Sequence, residues 1–203
     1  MTKVTLLGDS IRLIGYGPVV AEKLKNDFEV WQPEDNGRFV QYTLRGMYNW
    51  AGSMQGTKIV HWNCGLWDIC ELFDDGPFTP LEDYIDQMLR VADILIKRYG
   101  TVIFATTTPV TAANRYNRNE VIRQYNDAIV PKLKEKGVII NDLYSLVAAD
   151  IDRYICEDTI HLSEEGVALC AEAVEKAIRA AAQALPTEDS AFAAESDTTG
   201  APV

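Results

Sequence analysis

Five short apolar runs, each followed by a stretch with helical spacing, constrain this chain more than any other feature. The runs cover residues 4–7, 28–31, 58–62, 101–106 and 138–140. The first, Val4 to Leu7, has β-branched members and the pattern of a strand buried on both faces. Helical spacing covers 19–24, 39–50 and 81–99, then continues through Val121, Ile122, Tyr125, Ile129 and Leu133. A helical turn is expected at 144–149, and a last helix begins at Ser163. In 81–99, Tyr84, Ile85, Met88, Leu89, Ala92, Leu95 and Ile96 keep one apolar stripe. Strands alternating with helices predict right-handed βαβ units and a parallel sheet between two helical layers. The expected class is therefore α/β, three-layer α/β/α, with five parallel strands in the order 2-1-3-4-5. That order places the first strand centrally, its C-terminal end at the topological switch point where ligands bind.

The chain has 203 residues and no internal repeat, which fits one domain over 1–185. Residues 186–203, rich in Thr, Ser, Ala, Glu and Asp with one aromatic, read as a disordered tail. A net charge of −11 gives no general attraction for nucleic acid or an anionic membrane. The N-terminus enters the first strand without a signal-peptide pattern, and no apolar run spans a bilayer; the expected location is cytoplasmic. Cys64, Cys70, Cys156 and Cys170 lack CxxC or His-flanked metal spacing and read as small apolar residues or bystander thiols. Gly15 and Gly17 lack the rest of a phosphate-loop fingerprint, which disfavours a nucleotide. No metal or cofactor is expected.

The first strand stops at Gly8-Asp9-Ser10. Alone, this is equally a turn with capping residues or a hydroxyl delivered to the crevice. A serine attacks carbonyls only with a base in reach, and the chain offers two histidines. His61 lies inside the third strand between Val60 and Trp62 and reads as a packed strand residue. His161 lies in Glu157-Asp158-Thr159-Ile160-His161-Leu162-Ser163. Asp158, three positions earlier, can curl back onto one imidazole nitrogen and leave the other free as base. The same pair could merely cap the last helix, although Ser163 suffices for that.

Together, Gly8-Asp9-Ser10 and Asp158-Thr159-Ile160-His161 resemble the SGNH (GDSL-type) hydrolase superfamily, over residues 3 to 184. The resemblance implies a flavodoxin-like strand order and a triad of Ser10, His161 and Asp158. It also implies an oxyanion hole from the Ser10 N–H, Gly37 after the second strand, and Asn63 directly after the third. The third block departs from Gly-x-Asn-Asp and reads His61-Trp62-Asn63-Cys64; Gly65-Leu66-Trp67-Asp68 is similar to a pattern in certain bacterial members. The implied activity is hydrolysis of small acyl esters, acetyl first, with an O-acetylated carbohydrate as the leading substrate. Lysophospholipid or thioester hydrolysis stays open, and a non-catalytic ligand- or partner-binding module is the competing class. Asp9 reads as a structural tie of the nucleophile loop. Arg12 and Trp67 are candidate substrate contacts, Arg12 equally an ordinary surface arginine. Trp62, Trp67, Tyr16 and Phe78 are either an aromatic wall or core, and the polar run 113–119 could roof the crevice.

Overall fold

The run at 4–7 becomes strand β1, Thr2–Leu7, in a computed structural model that describes residues 1–73 and 75–185. The segment expected as a tail, 186–203, lies outside the described residues. Beside β1 run β2 (Phe28–Trp31) and β3 (Thr57–Asn63), followed outward from β3 by β4 (Thr101–Ala105) and β5 (Ile139–Asn141). All pairings are parallel and the order is β2-β1-β3-β4-β5. Val4, Leu6 and Leu7 are fully buried, as a central strand covered on both faces requires.

The helices are α1 (Gly17–Leu24), α2 (Val40–Asn49), α3 (Leu66–Ile69), α4 (Leu81–Tyr99), α5 (Asn119–Glu135), α6 (Leu143–Ala148), α7 (Ile151–Tyr154) and α8 (Glu164–Gln183). One layer joins α1, α6 and α7 to α8, and the other joins α2 and α5 to α4; α4 and α8 both pack on β3 and β4. No helix among the described residues is long and apolar enough to cross a membrane.

Register sets the site. Leu7 lies beside Trp62, and Asn63 beside Ala105, so β1, β3 and β4 end at one level. Asn63, expected just past the third strand, is its last residue. Ser163 caps α8 as its position suggested, its Oγ accepting the Gly166 N–H at 3.1 Å. The helices α3 and α7, one turn each, have no periodicity to read.

Residues 11–16 differ more from expectation. Helical spacing in the sequence starts only at 19, yet Ile11–Tyr16 is a π-helical turn, broken from helical geometry at Gly15. Such turns are rare and often lie at functional sites. Here the turn carries Tyr16 into the interior, where it is fully buried.

Candidate active site

Gly8 lets the nucleophile loop lie against β3. Its φ is +156°, and a Cβ there would fall 1.9 Å from Asn63 Oδ1, so only glycine fits. Asp9 follows, buried, and Oδ1 accepts the Ile11 N–H at 2.9 Å and Asn63 Nδ2 at 2.7 Å. Burial pushes the Asp9 carboxyl up, while these hydrogen bonds and the charge of Arg12 oppose that rise. The structural role read for Asp9 is the one its contacts describe.

Ser10 comes next, partly buried, with its Oγ 2.8 Å from His161 Nε2 across 151 positions of sequence. His161 Nδ1 lies 2.6 Å from Asp158 Oδ2. The His161 side chain keeps 29% of its surface exposed, so the pair opens to solvent. Asp158 Oδ1 also accepts the N–H groups of Ile160 (3.0 Å) and His161 (2.9 Å). Partial burial pushes the Asp158 carboxyl up. The His161 N–H, the Cys156 thiol, the Ile160 N–H and the imidazole outweigh it and hold the group well below the usual carboxylate range.

This turn is held from outside. Thr159 has φ +77°, an unfavourable conformation for a β-branched residue. Its carbonyl accepts the Thr111 N–H at 3.0 Å, and its Oγ1 accepts from Asn114 Nδ2 at 2.9 Å. Within the turn, the Cys156 N–H donates to the His161 carbonyl at 2.8 Å. The 113–119 run therefore braces the Asp158–His161 turn through Asn114. It also holds α3, since Asn117 Nδ2 donates to the Leu66 carbonyl at 2.8 Å.

Asn63 points its side chain at the same loop. Nδ2 donates to Asp9, and Oδ1 accepts the Tyr16 hydroxyl at 2.7 Å. The second Nδ2 hydrogen and the Ser10 N–H meet no acceptor among the described residues. Gly37 behaves differently from what the resemblance implied. Its N–H donates to the Gly8 carbonyl at 2.8 Å, because the loop after β2 closes directly on the nucleophile loop. A Cβ at Gly37 would lie 2.7 Å from that carbonyl oxygen, so the close approach itself demands glycine.

Arg12 is neither a substrate contact nor a surface arginine. It is fully buried and donates to the carbonyls of Pro33 (2.8 Å), Asp35 (2.7 Å) and Gly8 (3.1 Å), and to Gln32 Oε1 (3.2 Å). A planar guanidinium can satisfy several carbonyls at once, which ties the nucleophile loop to the loop carrying Gly37. The aromatic wall also divides. Trp62 and Tyr16 are fully buried, Trp62 against Phe104, whereas Trp67 and Phe78 are 42% and 49% exposed. Phe78 packs against Phe39, their ring centroids 5.2 Å apart.

His61 stays outside the constellation. It is fully buried, its ring edge-on to Tyr16, with Nε2 3.3 Å from Asn141 Nδ2. Burial drives its pKa down to about 3, so it is neutral. Asp68, which sequence reasoning left without a role, accepts the Val40 N–H (3.1 Å), the Thr79 hydroxyl (2.8 Å) and the Cys64 thiol (3.3 Å). It thus joins the start of α2 to the loops after β3 and before α4. The only signal for it was the Gly-Leu-Trp-Asp pattern. Among the described residues, no cluster of His, Cys, Asp and Glu could hold a metal ion.

A cavity of about 10 Å³ lies at the strand tips, lined by Asp9, Ile11, Asn63, Leu66, Thr106, Thr107, Thr108 and Leu143. It has room for about one water-sized group.

An acetyl xylan esterase, AlAXEase, has a crystal structure that superimposes with a TM-score of 0.74, covering 87% of this chain and 99% of that one at 19% identity. The fold is that of the SGNH (GDSL-type) hydrolases. Two curated relatives carry the same designation. The GDSL esterase/lipase CPRD49 of Arabidopsis thaliana is 31% identical over 121 residues, covering 52% of this chain and 47% of the relative. The GDSL esterase/lipase WDL1 of Oryza sativa subsp. japonica is 32% identical over 135 residues, covering 56% and 52%. The chain thus spans about half the length of the curated relatives it matches. No protein-family model matches it.

Proposed function

We propose that this chain is a serine esterase that removes small acyl groups, acetyl first, from oxygen esters of a carbohydrate. The observation that carries the reading is the continuous line from Ser10 Oγ to His161 Nε2 (2.8 Å) and from His161 Nδ1 to Asp158 (2.6 Å). Nucleophile, base and orienting carboxylate stand within the reach that acyl transfer needs.

In this reading His161 Nε2 takes the Ser10 proton as Oγ bonds to the ester carbonyl carbon. The carbonyl oxygen becomes an anion facing the Ser10 N–H and the second Asn63 amide hydrogen, which have no acceptor among the described residues. His161 then gives its proton to the departing alcohol as the carbon–oxygen bond breaks. Water, deprotonated by the same imidazole, attacks the acyl-enzyme and frees the acid and Ser10. Asp158, held ionised by its hydrogen bonds, fixes the tautomer and stabilises the imidazolium. The Gly37 amide supports the nucleophile loop in this account. Trp67, exposed on α3 just beyond Asn63, is the candidate to stack against a sugar face.

One point favours a small acyl group and a sugar. The acetyl xylan esterase shares the fold over nearly its whole length. A fluorophosphonate probe should label Ser10, read by mass spectrometry, and p-nitrophenyl acetate should be hydrolysed. A panel of acetylated oligosaccharides, sialic acids and aryl esters then ranks the leaving groups. A folded preparation that neither labels nor turns over any ester would overturn the reading in favour of a binding module.

A further inference from the structure

We infer that Tyr16 is a positioning residue for the oxyanion donor Asn63. The inference rests on the esterase reading above. It concerns which group aims the amide.

A side-chain amide has two faces that differ only by a flip about its terminal bond, and only its nitrogen can stabilise an anion. Asn63 is fixed against that flip at both ends. Its Oδ1 accepts the Tyr16 hydroxyl at 2.7 Å, and one Nδ2 hydrogen goes to Asp9 Oδ1 at 2.7 Å. A phenol donates to the amide oxygen here. The reversed amide would set two donors face to face at Tyr16 and two acceptors face to face at Asp9. The second Nδ2 hydrogen is thereby left in a single direction, with no acceptor among the described residues. Donation into Oδ1 also polarises the amide and strengthens its N–H as a donor.

Two features make Tyr16 more than packing. It is delivered by the π-helical turn Ile11–Tyr16, which begins at the residue after Ser10, so nucleophile and clamp sit on one short segment of chain. The Gly37 N–H is engaged by the Gly8 carbonyl at 2.8 Å, which in this account leaves the Ser10 N–H and the Asn63 amide, rather than three groups, to meet the anion. Precision at Asn63 then matters more than in a hole with three free donors.

The test is a double-variant cycle on p-nitrophenyl acetate. Asn63→Ala removes the donor and should lower kcat about 10²–10³-fold. Tyr16→Phe deletes one oxygen, and should lower kcat by about tenfold or more with KM nearly unchanged, since the amide is needed mainly in the transition state. In the double variant, Tyr16→Phe should cost almost nothing further, because the residue it aims is gone. If the two losses multiply, or if Tyr16→Phe turns over like the parent, the proposal fails. An independent arm uses the unaltered protein: the Asn63 side-chain protons should exchange slowly with solvent, and one of them should show a nuclear Overhauser contact to the Ile11 amide proton, because both donate to Asp9 Oδ1. A flipping or rapidly exchanging amide overturns the proposal even if Tyr16→Phe does not fold. Absence of Ser10 labelling in the parent would instead reject the esterase reading itself.

Discussion

The sharpest physical test concerns Asp68, because its cost depends on pH in a direction opposite to that of most carboxylates. Asp68 has no exposed surface, and burial raises its pKa from 3.8 to about 6 against the opposing pull of Thr79, Val40 and Cys64. In the unfolded chain the group returns to about 4. Below about pH 4 it is protonated in both states and contributes no pH dependence. Between about pH 4 and pH 6 the native state holds more protons than the unfolded one, so stability falls as pH rises. Above about pH 6 the full penalty applies, about 3 kcal/mol for a shift near two units. Asp68→Asn keeps an acceptor oxygen for the Val40 N–H and removes the titration. Urea unfolding of both proteins at pH 4.5 and pH 7.5 isolates the effect, because the other carboxyls are common to both and cancel in the comparison. The variant should lose about 2–3 kcal/mol less than the parent between those pH values. Identical pH slopes would refute the assignment of a costly buried carboxylate to this position.

Other outcomes follow from the same contacts. Ser10→Ala and His161→Ala should abolish turnover while moving Tm by no more than a few degrees, since neither side chain is part of the core; matched loss of folding in both would argue for structural roles. Asp158→Asn should lower kcat by about 10³-fold or more through the wrong tautomer, read with p-nitrophenyl acetate. The stability that Asp158 supplies is present above its unfolded pKa and is lost as pH falls below about 4, the reverse of Asp68. Arg12→Met should destabilise by on the order of 2–5 kcal/mol in urea, because the Pro33 and Asp35 carbonyls lose their charged donor.

The elements most legible in the sequence are those governed by burial alone. Residues 4–7, 28–31 and 81–99 declare themselves because a strand or a helix that buries apolar atoms must repeat them at a fixed period. The pairing of Ser10 with His161 spans 151 positions, and no period links them; it was readable through the resemblance, and the two side chains now stand 2.8 Å apart. Arg12 was misread for a physical reason. A charged side chain goes inside only where carbonyls converge on it, and those carbonyls come from Pro33, Asp35 and Gly8, whose directions no side-chain pattern encodes. The same holds for Gly37, where the type of residue was legible and the direction of its N–H was not. Tyr16 looked like wall or core; its burial agrees with core, but its hydroxyl is what touches the site.

Three polar groups that are costly to bury, Asp9, Arg12 and Asp68, lie under the loops that bear the candidate site. Hydrophobic residues of similar volume would often be neutral or more stable at such positions. They could not, however, set the direction of an N–H. The loops after β1, β2 and β3 leave the sheet where the ladder ends, so their backbone groups need partners from elsewhere. Arg12 supplies donors to the carbonyls of the loop after β2, Asp68 accepts the first N–H of α2, and Asp9 accepts from both the nucleophile loop and Asn63. Each therefore fixes a loop whose orientation apolar packing alone would leave free. Catalysis by preorganised donors requires directions held within a narrow range before substrate arrives, since reorientation during the reaction would cost part of the stabilisation. The polar burial at these three positions is thus best understood as the source of the site's rigidity, with the fold's stability resting on the apolar sheet beneath it.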